Sequence, residues 1–143
     1  MTDPYEMLKL DRQLCFPLYA VSKEIVKKYK PFLDSINLTY TQYITMMVLW
    51  EEEEILVKDL GAKLFLDSGT LTPVLNALEK KGYAARRRSE TDKRDVYAQI
   101  TQSGLALRTR AAEIPAKLGA CVPLSPEDAA TLYRILHDMM DRL

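Results

Sequence analysis

From Leu10 to Tyr29 apolar residues recur at steps of three and four, and Leu14, Leu18, Val21 and Ile25 make one stripe of an amphipathic helix that Pro31 is expected to stop. A second stripe runs through Cys15, Tyr19, Ser22, Val26 and Tyr29, so Cys15 falls on a largely apolar and aromatic face. Pro17 has no N–H and suits only a first helical turn, so the helix either begins near Cys15 or kinks there. Two short periodic segments follow, Thr39 to Trp50 and Val57 to Phe65, joined by an acidic bend at Glu51 to Glu54. A further helix from Ser68 to about Lys81 is signalled by Asp67 and Ser68 as capping residues, by Leu71, Val74, Leu75 and Leu78, and by Gly82 at its end. Tyr83 to Arg88 and Val96 to Ile100 flank a polar tip and read as a hairpin with an overlong loop. Thr101 caps a helix expected to reach about Leu118, and Ser125-Pro126-Glu127-Asp128 starts a last one ending at Leu143.

The elements read as a mainly α fold with a small β-hairpin wing. One domain over 1–143 is expected, with a core of helix-turn-helix and wing at about 39–100. The segments at about 5–36 and 101–143 carry more apolar surface than such a module needs, including Leu132, Ile135, Leu136, Met139, Met140 and Leu143. That excess predicts dimerisation through the N- and C-terminal helices.

Composition excludes several classes. With 48% hydrophobic and 28% charged residues the chain is ordinary for a globular protein, and no apolar run approaches the ~20 residues that span a bilayer. Met1-Thr2-Asp3-Pro4 lacks a basic region followed by an apolar one, so the cytoplasm is the expected location and no membrane partner is expected. Cys15 and Cys121 are too few for a disulfide framework, and with the lone His137 they do not make a four-ligand zinc set. Neither metal nor cofactor is expected, and each cysteine is either a small buried hydrophobe or a reactive thiol.

The formal charge is balanced, 20 basic against 20 acidic, but its distribution is uneven. Lys80, Lys81, Arg86, Arg87, Arg88, Lys93 and Arg94 crowd one segment against only Glu90 and Asp92. A helix-turn-helix followed by a basic hairpin suits double-stranded DNA, because the second helix fits the major groove while the loop reaches the neighbouring minor groove. Ser68, Thr70, Thr72 and Asn76 put hydroxyls and an amide on the leading helix, and Gly69 permits close backbone approach. In the wing, Lys93 and Arg94 are candidates for insertion beside the bases, and Arg86 and Arg88 for phosphate contacts.

Leu66-Asp67-Ser68-Gly69-Thr70-Leu71-Thr72-Pro73, Leu78-Glu79-Lys80-Lys81-Gly82-Tyr83, Asp92-Lys93-Arg94, and Leu105 after Thr101 and Gly104 together resemble the MarR winged-helix regulators. The resemblance spans nearly the whole chain. It implies a homodimeric repressor on a pseudo-palindromic operator, with Arg94 in the minor groove and Asp92 helping to hold it. Leu14-Cys15-Phe16-Pro17-Leu18-Tyr19 and Leu38-Thr39-Tyr40-Thr41-Gln42-Tyr43 further resemble the organic hydroperoxide regulators, the OhrR branch. That resemblance implies that Cys15 is the peroxidatic thiol, that Tyr29 and Tyr40 hydrogen-bond its sulfur across the dimer, and that an organic hydroperoxide is the effector. It also implies a resolving role for Cys121 from the other subunit, against a one-cysteine arrangement completed by a small thiol.

Two competing functions are weighed against this one. A MarR-type repressor released by a small aromatic ligand in the dimer cleft shares the fold. A thiol peroxidase using Cys15 and Cys121 lacks the alternation of strands and helices and the C-x-x-C pair that such chemistry commonly uses.

Overall fold

A computed structural model describes all of residues 1–143. Two 3-10 turns, Glu6–Leu8 and Leu10–Arg12, precede α1 (Cys15–Asp34). The chain continues through α2 (Tyr40–Glu52), β1 (Glu54–Leu56), α3 (Val57–Leu64), α4 (Ser68–Lys80), β2 (Ala84–Arg88), β3 (Val96–Ile100), α5 (Gln102–Ala111), α6 (Ile114–Gly119) and α7 (Pro126–Arg142).

The helix starts follow from local caps. Thr39 accepts from the Gln42 N–H while the Gln42 side chain accepts from the Thr39 N–H, closing a capping box on α2. Asp67, Thr101 and Ser125 each accept from the backbone N–H three residues on, at Thr70, Gly104 and Asp128. Gly82, with φ of 79°, ends the α4 region and turns the chain into the wing.

Four expectations are corrected. Helix α1 begins at Cys15 with Pro17 in its first turn, one of the two alternatives expected, but it is not stopped by Pro31 and runs through it to Asp34. Proline removes one hydrogen bond there, but Leu33 is buried beside Ile36 and Leu38 and holds the last turn in place. The acidic bend contains a strand: Glu53 adopts φ of 62°, and Glu54–Leu56 then pairs with the free edge of β3. The wing is therefore the outer part of a three-stranded antiparallel sheet ordered β1-β3-β2, not a lone hairpin. Finally, the helix after Thr101 breaks at Ala112 and Glu113, because Pro115 cannot donate to a preceding turn and instead opens α6.

The core is built from the middle of the chain. Tyr43, Met46 and Leu49 of α2 pack with Leu60 of α3, Leu71, Leu75 and Leu78 of α4, Ala98 of β3 and Leu107 of α5. Only 22 of 143 residues are buried, and α7 contributes none of them, so its apolar stripe is uncovered within the chain. Leu14, Phe16, Leu18, Tyr19, Val21 and Val26 on and beside α1 are likewise exposed, as are Leu132, Tyr133, Ile135, Met139 and Met140 on α7. No helix is long and apolar enough to cross a membrane.

One close contact locks the sheet to the helices. Trp50 Nε1 donates to the Gly104 carbonyl at 2.8 Å, and a Cβ on Gly104 would sit 2.2 Å from the Tyr83 carbonyl oxygen. Backbone must move to admit any side chain there. Gly104→Ala is therefore expected to lower stability by about 3 kcal/mol, read as a shifted urea midpoint at fixed protein concentration with an unchanged denaturant slope.

Candidate functional site

Helix α4 turns Leu71, Val74, Leu75 and Leu78 into the core, which leaves Ser68, Gly69, Thr70, Thr72, Pro73, Asn76 and Lys80 exposed along the opposite face. Asp67 anchors the leading end: its Oδ1 accepts from the Thr70 N–H at 2.8 Å, and that bond holds its carboxyl below the usual range. The expected reading residues Ser68, Thr70, Thr72 and Asn76 thus share one solvent-facing surface.

The wing tip is organised by short-range polar contacts. Ser89 N–H donates to the Asp95 carbonyl at 2.8 Å, and Ser89 Oγ accepts from the N–H groups of Thr91 and Asp92. Arg88 Nη1 donates to the Lys93 carbonyl at 2.8 Å, so Arg88 braces the loop from within. Asp92 accepts from Arg94 three times, from its backbone N–H at 3.0 Å and from Nε and Nη2 at 3.2 Å each. Those bonds hold the Asp92 carboxyl below its ordinary range, and they fix an arginine whose side chain is 90% exposed. The expected pairing of Asp92 with Arg94 is present in the geometry.

Much of the basic charge is consumed inside the chain. Arg86 donates to Glu79 from Nε at 2.9 Å and from Nη2 at 3.0 Å, and also to Asn76 Oδ1. Arg87 pairs with Glu54 across β3 and lies 4.3 Å from the centre of the Tyr97 ring. Lys81 Nζ donates to the Asn37 carbonyl at 2.6 Å and to Gln42 Oε1 at 2.8 Å. Arg86 is thus paired with a carboxylate of the chain, whereas Arg88, exposed and braced only on a neutral carbonyl, forms no salt bridge, and neither do Lys80 and Lys93. Glu79 and Glu54 were not singled out in the sequence. Their roles depend on strands folding back beside α4, which no local spacing announces.

The thiol and the phenols lie at opposite ends of α1. Cys15 is exposed at the first position of the helix, where Leu14 gives no side-chain cap and no acidic residue occupies the first turn. Cys15 thus stands at the helix end where backbone N–H groups lack intrahelical partners and the dipole is positive. At the other end Tyr29 packs on Tyr40 of α2, with ring centres 5.0 Å apart, and on Tyr43 at 5.7 Å. Tyr43 completes the cluster and meets Trp50 edge-on, and its place one turn after Tyr40 was the available signal for it. Cys15 and Tyr29 are separated by fourteen residues of continuous helix, about 21 Å along its axis, so they do not meet within one chain. Cys121 is exposed in the turn after α6, and its thiol donates to the Lys117 carbonyl at 3.4 Å.

Burial, followed by the neighbouring Tyr40 and Tyr43, pushes the Tyr29 phenol up to about 12; burial also raises Tyr40, and burial and then Tyr40 raise Tyr43. All three remain O–H donors at neutral pH. Between pH 10 and 12 the unfolded chain loses these protons before the folded one does, so the cluster's contribution to stability is complete below pH 10 and declines above it. A spectrophotometric titration is expected to show part of the 8 tyrosines ionising late, and Tyr29→Phe is expected to remove the latest component.

The family model for the transcriptional regulators SarA/Rot matches residues 27–109. Over 143 residues the chain is 43% identical to an organic hydroperoxide resistance transcriptional regulator of Bacillus subtilis (strain 168), covering 100% of this chain and 97% of that one. Reduced AbfR bound to DNA superimposes with a TM-score of 0.78 at 31% identity, covering 96% of this chain and 95% of that chain. Disulfide-formed AbfR gives a TM-score of 0.68 at 31% identity, over 96% of this chain and 93% of that one. AbfR is a protein of Staphylococcus epidermidis.

Proposed function

Because the chain belongs to the MarR-type winged-helix transcriptional regulators, in their organic hydroperoxide branch, we propose that it is a DNA-binding repressor that leaves its operator when an organic hydroperoxide oxidises Cys15. The observation that carries this reading is the split site along α1, a thiol at one end and a cluster of protonated phenols about 21 Å away at the other. A second copy packed antiparallel along α1 brings each Cys15 to Tyr29 and Tyr40 of its partner, and one two-fold axis completes both sites. The uncovered apolar residues of α1 and α7 supply the surface for that pairing.

The chemistry follows from the groups so assembled. The Cys15 thiolate attacks the distal oxygen of the hydroperoxide, the O–O bond breaks, and the alcohol leaves after taking up a proton. Phenol O–H groups that hydrogen-bond a thiolate lose that arrangement when the sulfur becomes a sulfenic acid. The exposed Cys121 of the other subunit then attacks the sulfenic sulfur, forming a disulfide and releasing water. Disulfide-formed AbfR supports this second step for a relative. The helices α4 of the two copies enter adjacent major grooves of a pseudo-palindromic operator, about one helical turn apart, and the wings carry Arg94 to the minor grooves.

Cys15→Ser is expected to bind operator like wild type and to stay bound under organic hydroperoxide, since serine fills the space without forming a sulfenic acid; release of that variant by peroxide defeats the assignment. On non-reducing gels peroxide-treated wild type is expected to run as a covalent dimer and Cys121→Ser as a monomer, whereas an uncross-linked wild type with unaltered recovery favours a one-cysteine switch. Arg94→Ala is expected to weaken operator binding by about tenfold or more, and Lys93→Ala to lower the salt slope by about 1 with sequence preference retained.

A further inference from the structure

We propose that Arg86 is a positioning residue that fixes the Asn76 carboxamide with its amide nitrogen facing outward, making Asn76 a reader of acceptor atoms, guanine O6 and N7 in particular, in the major groove. The proposal rests on the DNA-binding reading above and adds the chemistry by which one position of α4 selects a base.

Arg86 is itself held rigidly. Its Nε and Nη2 donate to the two oxygens of Glu79, at 2.9 Å and 3.0 Å, linking strand β2 to the C-terminal half of α4. The same Nη2 donates to the Asn76 side chain. A guanidinium carries donors only, so the atom it meets on Asn76 has to be the carbonyl oxygen, and the orientation of the amide is set by chemistry. Nδ2 of Asn76 therefore turns away from Arg86, and it makes no hydrogen bond within the chain although the residue is exposed. Thr72 and Lys80 lie one turn to either side on the same face.

An asparagine that rotates freely reads adenine by pairing its carbonyl with N6 and its amide with N7. Here the guanidinium takes one lone pair of the carbonyl oxygen and holds that oxygen on its own side, which leaves the two N–H groups for the groove. Guanine presents the matching pair of acceptors, O6 and N7, whereas adenine presents one acceptor and one donor. Arg86 thereby acts through Asn76 rather than as the phosphate ligand that its place in a basic segment suggests.

The test measures binding of the wild-type protein, Asn76→Ala, Arg86→Met and the double variant to an operator series with every base pair of a half-site replaced in turn, at two salt concentrations. Wild type is expected to prefer guanine about tenfold at one symmetric pair of positions. Each single variant is expected to lose that preference, the double variant to lose no more than either, and the salt slope to stay unchanged. Replacing that guanine by 7-deazaguanine is expected to weaken wild type but not Asn76→Ala, a comparison that holds even if Arg86→Met fails to fold. An unchanged base preference in Asn76→Ala overturns the proposal. So does an Arg86→Met variant that weakens all sequences equally, lowers the salt slope by about 1 and adds to the Asn76 effect, because Arg86 is then a phosphate ligand. A wild-type protein that fails to distinguish operator from random DNA defeats the regulatory reading instead.

Discussion

A continuous helix of twenty residues keeps its two ends apart, and that separation governs the organisation of this molecule. Cys15 sits at one end of α1 and the Tyr29, Tyr40 and Tyr43 cluster at the other, so thiol and phenols do not meet within one chain. The same helix displays apolar side chains that nothing in the chain covers, and α7 does likewise. In the proposed dimer, assembly of the thiol site and burial of these faces are a single event, which ties the geometry of that site to the relative placement of the two winged-helix modules.

The reading module is rigid. Arg86 on Glu79 joins its sheet to helix α4, and Arg87 on Glu54, beside Gln99, ties the outer strands to each other across the sheet. Trp50 and the absence of a side chain at Gly104 fix the base of the wing against α2 and α5. Helix α2, which carries two of the three clustered tyrosines, packs directly on α3, α4, α5 and β3 in this core.

Features that depend on near neighbours were legible in the sequence. The caps at Thr39, Asp67, Thr101 and Ser125 are bonds to N–H groups three residues away, and each helix starts where those residues place it. The limits of the wing strands and the Asp92 contact with Arg94 were likewise local. Strand β1 was not legible, because three residues in an acidic stretch carry no alternation and become a strand only when β3 offers an edge. The break before Pro115 had a plain signal that the periodicity across it obscured, while Pro31 failed to stop α1 because tertiary burial of Leu33 outweighed one lost hydrogen bond. Among the candidate site residues, Arg86 reads as a free cation from composition because its partner Glu79 comes from the fold, and the Arg88 bond to the Lys93 carbonyl comes only with loop closure.

That internal engagement of charge bears on how such a module behaves on a chromosome. Random DNA holds a protein through its free cations, and here Arg86, Arg87 and Arg94 are paired with carboxylates of the same chain while Lys81 is tied to neutral oxygens. With those three guanidiniums screened by the chain's own carboxylates, Lys80 at the end of α4 and Lys93 in the wing stand out as unpaired cations, and the pull on random DNA is weaker than the number of basic residues in this segment suggests.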